Sequence, residues 1–152
     1  MRIIRTDSDD PDFRYLVSML DEKLEEINGA DHSFYSQFNL LDKIRNVVLV
    51  YDHEKVISCG AFKKFDEDTI EIKRMFTEPM YRGRGMAGLV IDELESWAKE
   101  SGYSKAILET SIKLESSIKL YNKKGFSRIN NYGQYKDDLS SICFMKNIRS
   151  GK

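Results

Sequence analysis

The sequence predicts a mixed α/β domain, antiparallel at first and with crossover helices later, and three observations lead to this class. Apolar residues recur at helical spacing in some stretches, and alternate or run together at strand spacing in others. Glycine, proline and polar clusters separate these stretches. The 152 residues match one domain, and no linker, repeat or low-complexity segment divides them. We therefore expect a single domain over residues 1–152.

The first half contains a predicted strand, two helices and a meander of three strands. A short strand is expected at Met1–Arg5. The segment Asp9-Asp10-Pro11 supplies a capping carboxylate and a first-turn proline for a helix that ends at Asn28-Gly29. A second, shorter helix is expected within Ser33–Ile44. Three strands follow, separated by polar turns, at Val47–Tyr51, Val56–Lys63 and Thr69–Thr77.

The second half alternates helices with strands. An apolar face that includes Ala87 and Trp97 predicts a helix ending at Gly102, and a second such face predicts a helix from Leu114 to Gly125. Lys105–Glu109, between these helices, has the apolar composition of a buried strand. Two final strands are expected at Phe126–Ile129 and Ser141–Asn147.

Composition and charge exclude several classes of protein. The 24 basic and 25 acidic residues give a net charge of −1, which argues against a nucleic-acid-binding protein. The longest apolar run, Val47–Tyr51, is far shorter than a membrane helix, and the first ten residues lack the apolar region of a secretory signal. Cys59 and Cys143 are expected to be buried free thiols, so we expect a cytoplasmic protein. His32 and His53 lack the spacing of metal ligands, and no metal is expected.

A glycine-rich turn carries the strongest sign of chemistry. Arg82-Gly83-Arg84-Gly85-Met86-Ala87-Gly88 follows a predicted strand and opens a predicted amphipathic helix. Glycines let a ligand approach the backbone, and the amides of a first helical turn have no intrahelical acceptor. With two arginines added, the segment predicts a site for a phosphate or pyrophosphate.

Two well-known phosphate motifs fit this turn less well. A nucleotide-triphosphate loop requires Lys and Ser or Thr after its last glycine, but Leu89-Val90 stands there, so this activity is excluded. The glycines satisfy the dinucleotide fingerprint, with Glu109 at the right distance. However, five residues separate Thr77 from Gly83, and too little chain follows Glu109 for further βα units. A dinucleotide-binding oxidoreductase stays as an alternative.

Two segments resemble the signatures of one family. The run from Phe76 to Ala87, with its Pro79 and its Tyr-Arg-Gly-Arg-Gly core, resembles the acyl-CoA-binding signature of the GNAT superfamily of N-acyltransferases. Ile118–Phe126 resembles the second signature of that family, and the likeness extends from about Val47 to Asn147. Leu114 stands where the family often has asparagine, so no side-chain polar contact to the cofactor is carried over to that position. The resemblance implies a mostly antiparallel twisted sheet of about seven strands, flanked by about four helices and splayed at the acyl-CoA site.

The resemblance also implies roles for residues at that site. The pantetheine arm of acyl-CoA would pair with the backbone of Met75, Phe76 and Thr77. The residues whose backbone or side chains would hold the pyrophosphate are Arg82, Gly83, Arg84, Gly85, Met86 and Ala87. Ser117 and Tyr121 would contact the cofactor as well, and Tyr121 is the expected proton donor for the departing thiolate.

The proton acceptor and the acceptor pocket are less sharply defined. Glu71 and Glu109 each lie where family members keep a carboxylate, and the base is one of these two or solvent. Asp31–Asn39 and Asn130–Tyr135 are rich in polar and aromatic residues. The resemblance implies that these two segments form the walls of the acceptor pocket, through His32, Tyr35, Asn131 and Tyr132.

The resemblance therefore implies an enzyme that uses acetyl-CoA and no metal. It would transfer the acetyl group to a primary amine of a small molecule or peptide by direct attack in a ternary complex. No nucleic-acid or membrane partner is expected, and the resemblance allows for a homodimer. An alternative from another class is a non-catalytic module that senses acyl-CoA.

Overall fold

The computed structural model of the protein describes residues 1–28 and 43–149. Its strands are β1 (Arg2–Thr6), β2 (Asn46–Asp52), β3 (Lys55–Lys64), β4 (Thr69–Thr77), β5 (Lys105–Ser111), β6 (Ser127–Ile129) and β7 (Ser141–Asn147). Its helices are α1 (Pro11–Asn28), α2 (Met86–Glu100) and α3 (Glu115–Lys123), with short 3-10 turns at Pro79–Tyr81 and Gly133–Tyr135. The helix expected within Ser33–Ile44 falls mostly on residues outside the described ranges.

The seven strands form one sheet in the order β1-β2-β3-β4-β5-β7-β6. The pairs β1–β2, β2–β3, β5–β7 and β6–β7 are antiparallel, whereas β4 and β5 pair in parallel through Thr69–Glu71 and Lys105–Ile107. This confirms the predicted mixed α/β class with a mostly antiparallel sheet. It also differs from the parallel doubly wound sheet that the dinucleotide alternative requires.

Helix α1 begins where its capping residues predict. The Asp10 carboxylate accepts a hydrogen bond from the Asp12 amide at 2.9 Å, which satisfies one of the first-turn donors. Pro11 stands at the first helical position, where its missing N–H costs nothing. Phe13 and Leu16 on the inner face are fully buried. The helix is therefore held by a cap at its start and by an apolar face along its length.

One compact unit contains residues 1–62 and 74–94 of the described chain. Its core combines the inner face of α1 with apolar side chains of β2, β3 and β4, among them Val47, Leu49, Cys59 and Phe76. Gly60 on β3 lies at a very close approach, because a Cβ there would come within 2.5 Å of the Met75 sulfur and 2.6 Å of a Val90 methyl. The absence of a side chain at residue 60 thus lets β4 and α2 pack directly against β3.

The second compact unit contains residues 63–73 and 95–149. In it β5 pairs with β7 along its whole length, from Lys105 opposite Asn147 to Ser111 opposite Ser141. Strand β5 therefore continues two residues beyond its predicted end at Glu109, because β7 supplies partners for them. Among the residues that the structure describes, no helix is both long and apolar enough to span a bilayer.

Candidate active site

The glycine-rich turn has the open backbone that its sequence predicts. Gly83 and Gly85 adopt φ angles of 78° and 81°, in the left-handed region that favours glycine. Apart from its chain neighbours, a Cβ added to either residue would meet no atom of the described residues within 4 Å, so this part of the structure leaves space beside the backbone. Helix α2 starts at Met86 directly after this turn, and the Leu89 amide donates to the Gly85 carbonyl at 3.1 Å. By helix geometry, the Met86 and Ala87 amides then have no intrahelical acceptor and are suited to an anion.

Cationic side chains surround the turn. Arg82 and Arg84 are exposed, and their guanidinium carbons lie 5.4 Å from the Phe76 ring centre and 5.3 Å from the Tyr81 ring centre, respectively. Lys23 on α1 is a further cation that the sequence did not reveal. Burial and the nearby Arg82 charge lower the pKa of Lys23. The turn therefore combines backbone donors with positive charge from two parts of the first unit.

The end of β4 next to the turn is tightly held. Arg74 is buried and has a left-handed φ of 61°, which is rare for a residue other than glycine and interrupts regular strand geometry. The Ser58 hydroxyl donates to the Phe76 carbonyl at 3.1 Å and lies 2.8 Å from the Thr77 hydroxyl. Arg82 Nε donates to the Thr77 carbonyl at 2.9 Å. These contacts fix the segment that the resemblance assigns to pantetheine, and Ser58 is a contributor that the sequence did not reveal.

Glu109 is a largely buried carboxyl group on β5, in the second unit. Its Oε2 accepts a hydrogen bond from the Ser141 hydroxyl at 2.6 Å. Burial raises the pKa of Glu109 from its ordinary value of 4.5 to about 7, against the opposing effect of the Ser141 hydrogen bond. A carboxyl group with this pKa exchanges protons near neutral pH, as a general base must.

Glu71 on β4, in the same unit, has different surroundings. Its Oε2 accepts a hydrogen bond from the Tyr132 hydroxyl at 2.7 Å, and its Oε1 lies 4.0 Å from Lys73 Nζ. The Tyr132 ring meets Phe65 and Tyr135 edge-on, at centroid distances of 5.5 and 5.7 Å. Both oxygens of Glu71 thus face protein groups, and an aromatic cluster covers its Tyr132 partner.

Tyr121 on α3 is 5% exposed and packs against Phe126 and Phe144, with ring centres 5.8 and 6.0 Å away. Burial, and secondarily the charge of Glu109, raises the pKa of Tyr121 above its ordinary value of 10. Within residues 1–28 and 43–149 its hydroxyl makes no hydrogen bond, and the hydroxyl oxygen is not completely buried. The phenol is therefore held protonated, and its hydroxyl has no hydrogen-bond partner among the described residues. Ser117, half-buried, lies one helical turn earlier on α3.

The structure thus brings Glu71, Glu109, Tyr121 and Tyr132 into one compact unit. Asn131 also lies there, but its side-chain amide donates to two backbone carbonyls, of Asp138 at 3.0 Å and Ser141 at 3.1 Å. The predicted acceptor residues His32 and Tyr35 lie outside the described residues. In the part of the chain that is described, no group of three His, Cys, Asp or Glu side chains could hold a metal ion.

Ser141 is a site residue that the sequence did not reveal. It stands at the first position of a predicted strand, but its contact with Glu109 joins residues 32 positions apart. Only the register of β5 with β7 places the two side chains together. A sequence analysis that predicted the pairing of β5 with β7 in this register would have placed Ser141 near Glu109.

Comparisons with known proteins agree with this geometry. The family model described as acetyltransferase (GNAT) family matches residues 8–126. The IAA acetyltransferase of Azospirillum brasilense is 30% identical over 86% of this chain and 87% of its own. A Klebsiella pneumoniae structure described as an acyl-CoA N-acyltransferase superimposes with a TM-score of 0.82 at 22% identity, over 97% of both chains.

A structure with a bound ligand shares the fold as well. The GNAT family acetyltransferase of Elizabethkingia anophelis, solved with acetyl-CoA bound, gives a TM-score of 0.60 at 20% identity, over 67% of this chain and 75% of the other. The family match covers most of the chain, including the glycine-rich turn and Tyr121. This chain therefore belongs to the acetyltransferase (GNAT) family.

Proposed function

We propose that the protein transfers the acetyl group of acetyl-CoA to a primary amine of a small molecule or peptide, by direct attack of the amine. Family membership supports acetyl transfer in general. The observation that carries the specific proposal is the presence, in one unit, of a carboxyl group with a pKa of about 7 and a protonated phenol whose hydroxyl makes no hydrogen bond to the described residues. Direct amine acetylation requires one proton acceptor and one proton donor, and these two groups match that need.

The first unit contains residues suited to the CoA part of the donor. The pyrophosphate would bind the first-turn amides at Met86 and Ala87, where the open backbone of Gly83 and Gly85 leaves room. Arg82, Arg84 and Lys23 would add positive charge. The donor supplies an acetyl group activated as a thioester.

Glu109 is the better candidate for the base, by comparison with Glu71. Tyr132 and Lys73 face the two oxygens of Glu71, so a proton from the amine would have to compete with both. Glu109 has one oxygen bonded to Ser141, and its raised pKa makes it a stronger base than an ordinary carboxylate. In the proposed reaction Glu109 takes a proton from the ammonium form of the acceptor, and the freed nitrogen attacks the thioester carbonyl carbon.

Tyr121 is the proposed proton donor. As the C–N bond forms and the C–S bond breaks, its hydroxyl proton passes to the departing sulfur. A free thiol titrates near ~8.5 and a phenol near ~10, so this transfer is uphill, but modestly. Burial raises the pKa of Tyr121. Burial would also raise the pKa of a thiol formed beside it, so the difference between the two pKa values stays modest. The acetylated nitrogen releases its second proton to solvent as the neutral amide forms, and Tyr121 takes a proton back from solvent. Glu109 returns the proton that it took from the ammonium group to solvent.

Thiol release in the presence and absence of acceptor tests the proposal. Purified protein is incubated with acetyl-CoA and a panel of small amines, amino acids and peptides. Free thiol and the acetylated product, identified by mass spectrometry, are followed together. We expect thiol release that requires an amine and equals the amount of product. Binding of acetyl-CoA with no turnover across the panel would instead favour the acyl-CoA-sensing alternative.

A further inference from the structure

The two carboxylate oxygens of Glu109 have different surroundings. Oε2 accepts a hydrogen bond from the Ser141 hydroxyl, with an oxygen–oxygen distance of 2.6 Å, and Ser141 is 3% exposed. Oε1 receives no hydrogen bond from any residue in the described ranges. The short hydrogen bond restricts rotation of the carboxylate and occupies Oε2, so Oε1 is the oxygen left available as a proton acceptor within the described residues.

Ser141 is itself held by a small network of backbone contacts. The Asn131 side-chain amide donates to the Ser141 carbonyl at 3.1 Å and to the Asp138 carbonyl at 3.0 Å. The Ser141 amide donates to the same Asp138 carbonyl at 3.1 Å. Ser141 also begins β7, where it pairs with Ser111 of β5. The serine hydroxyl is thus presented to Glu109 from a fixed backbone.

We propose that Ser141 is a positioning residue, which occupies Oε2 of Glu109 and leaves Oε1 as the oxygen that takes the proton of the amine. Asn131 supports this role by holding the Ser141 backbone. The inference rests on the proposed function, because it assigns the geometry of the base in that reaction. It also gives Asn131 a structural task, because its side-chain amide holds the backbone carbonyls of Ser141 and Asp138.

The other groups around Glu109 make the Ser141 contact important. Glu109 interacts electrostatically with six other titratable side chains, and each such pair shifts the pKa of at least one of its members. These side chains are Glu71, Lys73, Tyr121, Tyr135, Asp138 and Cys143. Lys73 is the cation of this set, and the two other carboxylates disfavour a charge on Glu109. The Ser141 hydroxyl is the largest influence favouring the ionised form. Its removal should therefore make Glu109 harder to ionise.

The test compares Ser141→Ala with Ser141→Thr in the full chain. The chemical shift of the Glu109 carboxyl carbon is measured by NMR as a function of pH, without substrates. The variant Glu109→Gln, which lacks this carboxyl group, assigns the signal. Loss of one hydrogen bond to a charged group should raise the pKa of Glu109 by about one pH unit in Ser141→Ala. The acid limb of the kcat/KM profile should move by the same amount. Ser141→Thr, which keeps the hydroxyl, should titrate like the wild type.

A neighbouring serine provides the matched control. The Ser140 hydroxyl donates to Asp138 Oδ1 at 2.6 Å rather than to Glu109, so Ser140→Ala can affect Glu109 only through the Asp138 charge and should shift the Glu109 titration much less than Ser141→Ala does. If Ser141→Ala does not fold, Asn131→Ala should still raise the pKa of Glu109, because it loosens the Ser141 backbone. Identical Glu109 titrations in the wild type and the folded variant would overturn the role of Ser141. Failure of the proposed function would appear differently, as a wild type without turnover on any amine.

Discussion

Replacing Glu109 by Gln should make the protein more stable while it loses activity. Glu109 is largely buried, and its pKa is raised to about 7, which means that the folded state disfavours the ionised form. Glutamine keeps the shape of the side chain and can still pair with the Ser141 hydroxyl, but it carries no charge. The variant therefore removes a destabilising charge and, in the proposed reaction, removes the base.

The size and sign of this effect follow from the pKa. Between its ordinary value of 4.5 and about 7, the folded state binds more protons at Glu109 than the unfolded state does. The free energy of unfolding of the wild type therefore falls as the pH rises through this range. At about 1.4 kcal/mol per pKa unit, the full difference is about 3 kcal/mol, reached above pH ~8.

Urea unfolding at several pH values measures this difference. The free energy of unfolding of Glu109→Gln should exceed that of the wild type by about 3 kcal/mol near pH 8.5 and by well under 1 kcal/mol near pH 4.5. Glu71→Gln is the control, since the Glu71 carboxylate accepts a hydrogen bond from Tyr132 and lies 4.0 Å from Lys73 Nζ, so its replacement should bring no gain. A Glu109→Gln advantage that does not change with pH would refute the reasoning.

Three further variants test other parts of the molecule. Tyr121→Phe should lower kcat by about 10²–10⁴-fold with little change in acetyl-CoA affinity or melting temperature, and unchanged turnover would leave solvent as the donor. Gly85→Asp should weaken CoA binding at least about tenfold in calorimetry, whereas Gly102→Asp, at a similar left-handed φ away from the turn, should not. Gly60→Ala should cost about 1–3 kcal/mol in urea unfolding, because its methyl would overlap the Met75 sulfur, and a neutral result would contradict the close packing.

Local signals were enough to predict most of the fold. The Asp10 and Pro11 start of α1 is confirmed to the residue, and so are the bounds of β4 and β7. Caps, glycine stops and apolar periodicity act within a few residues of the chain, which is why sequence alone can locate them. Strand β5 extends two residues beyond its predicted end at Glu109, because Thr110 and Ser111 are polar and belong to the strand through their pairing with β7.

Site features that depend on distant contacts could not be predicted in the same way. The sequence identified the glycine-rich turn, Tyr121 and both carboxylates as candidates, but it could not choose between Glu71 and Glu109. That comparison depends on which of them meets Ser141 and which meets Tyr132, and these partners are 32 and 61 positions away along the chain. The left-handed backbone of Arg74 was equally hidden, since no glycine marks it.

The pH dependence of kcat/KM for acetyl transfer tests the central claim most directly. If Glu109 is the base, the wild-type rate should rise with pH through a single limb centred at about 7, because only the ionised carboxylate takes the proton. The same limb should be absent from the low residual activity of Glu109→Gln and should persist in Glu71→Gln. A limb near 7 that survives in Glu109→Gln would contradict the account.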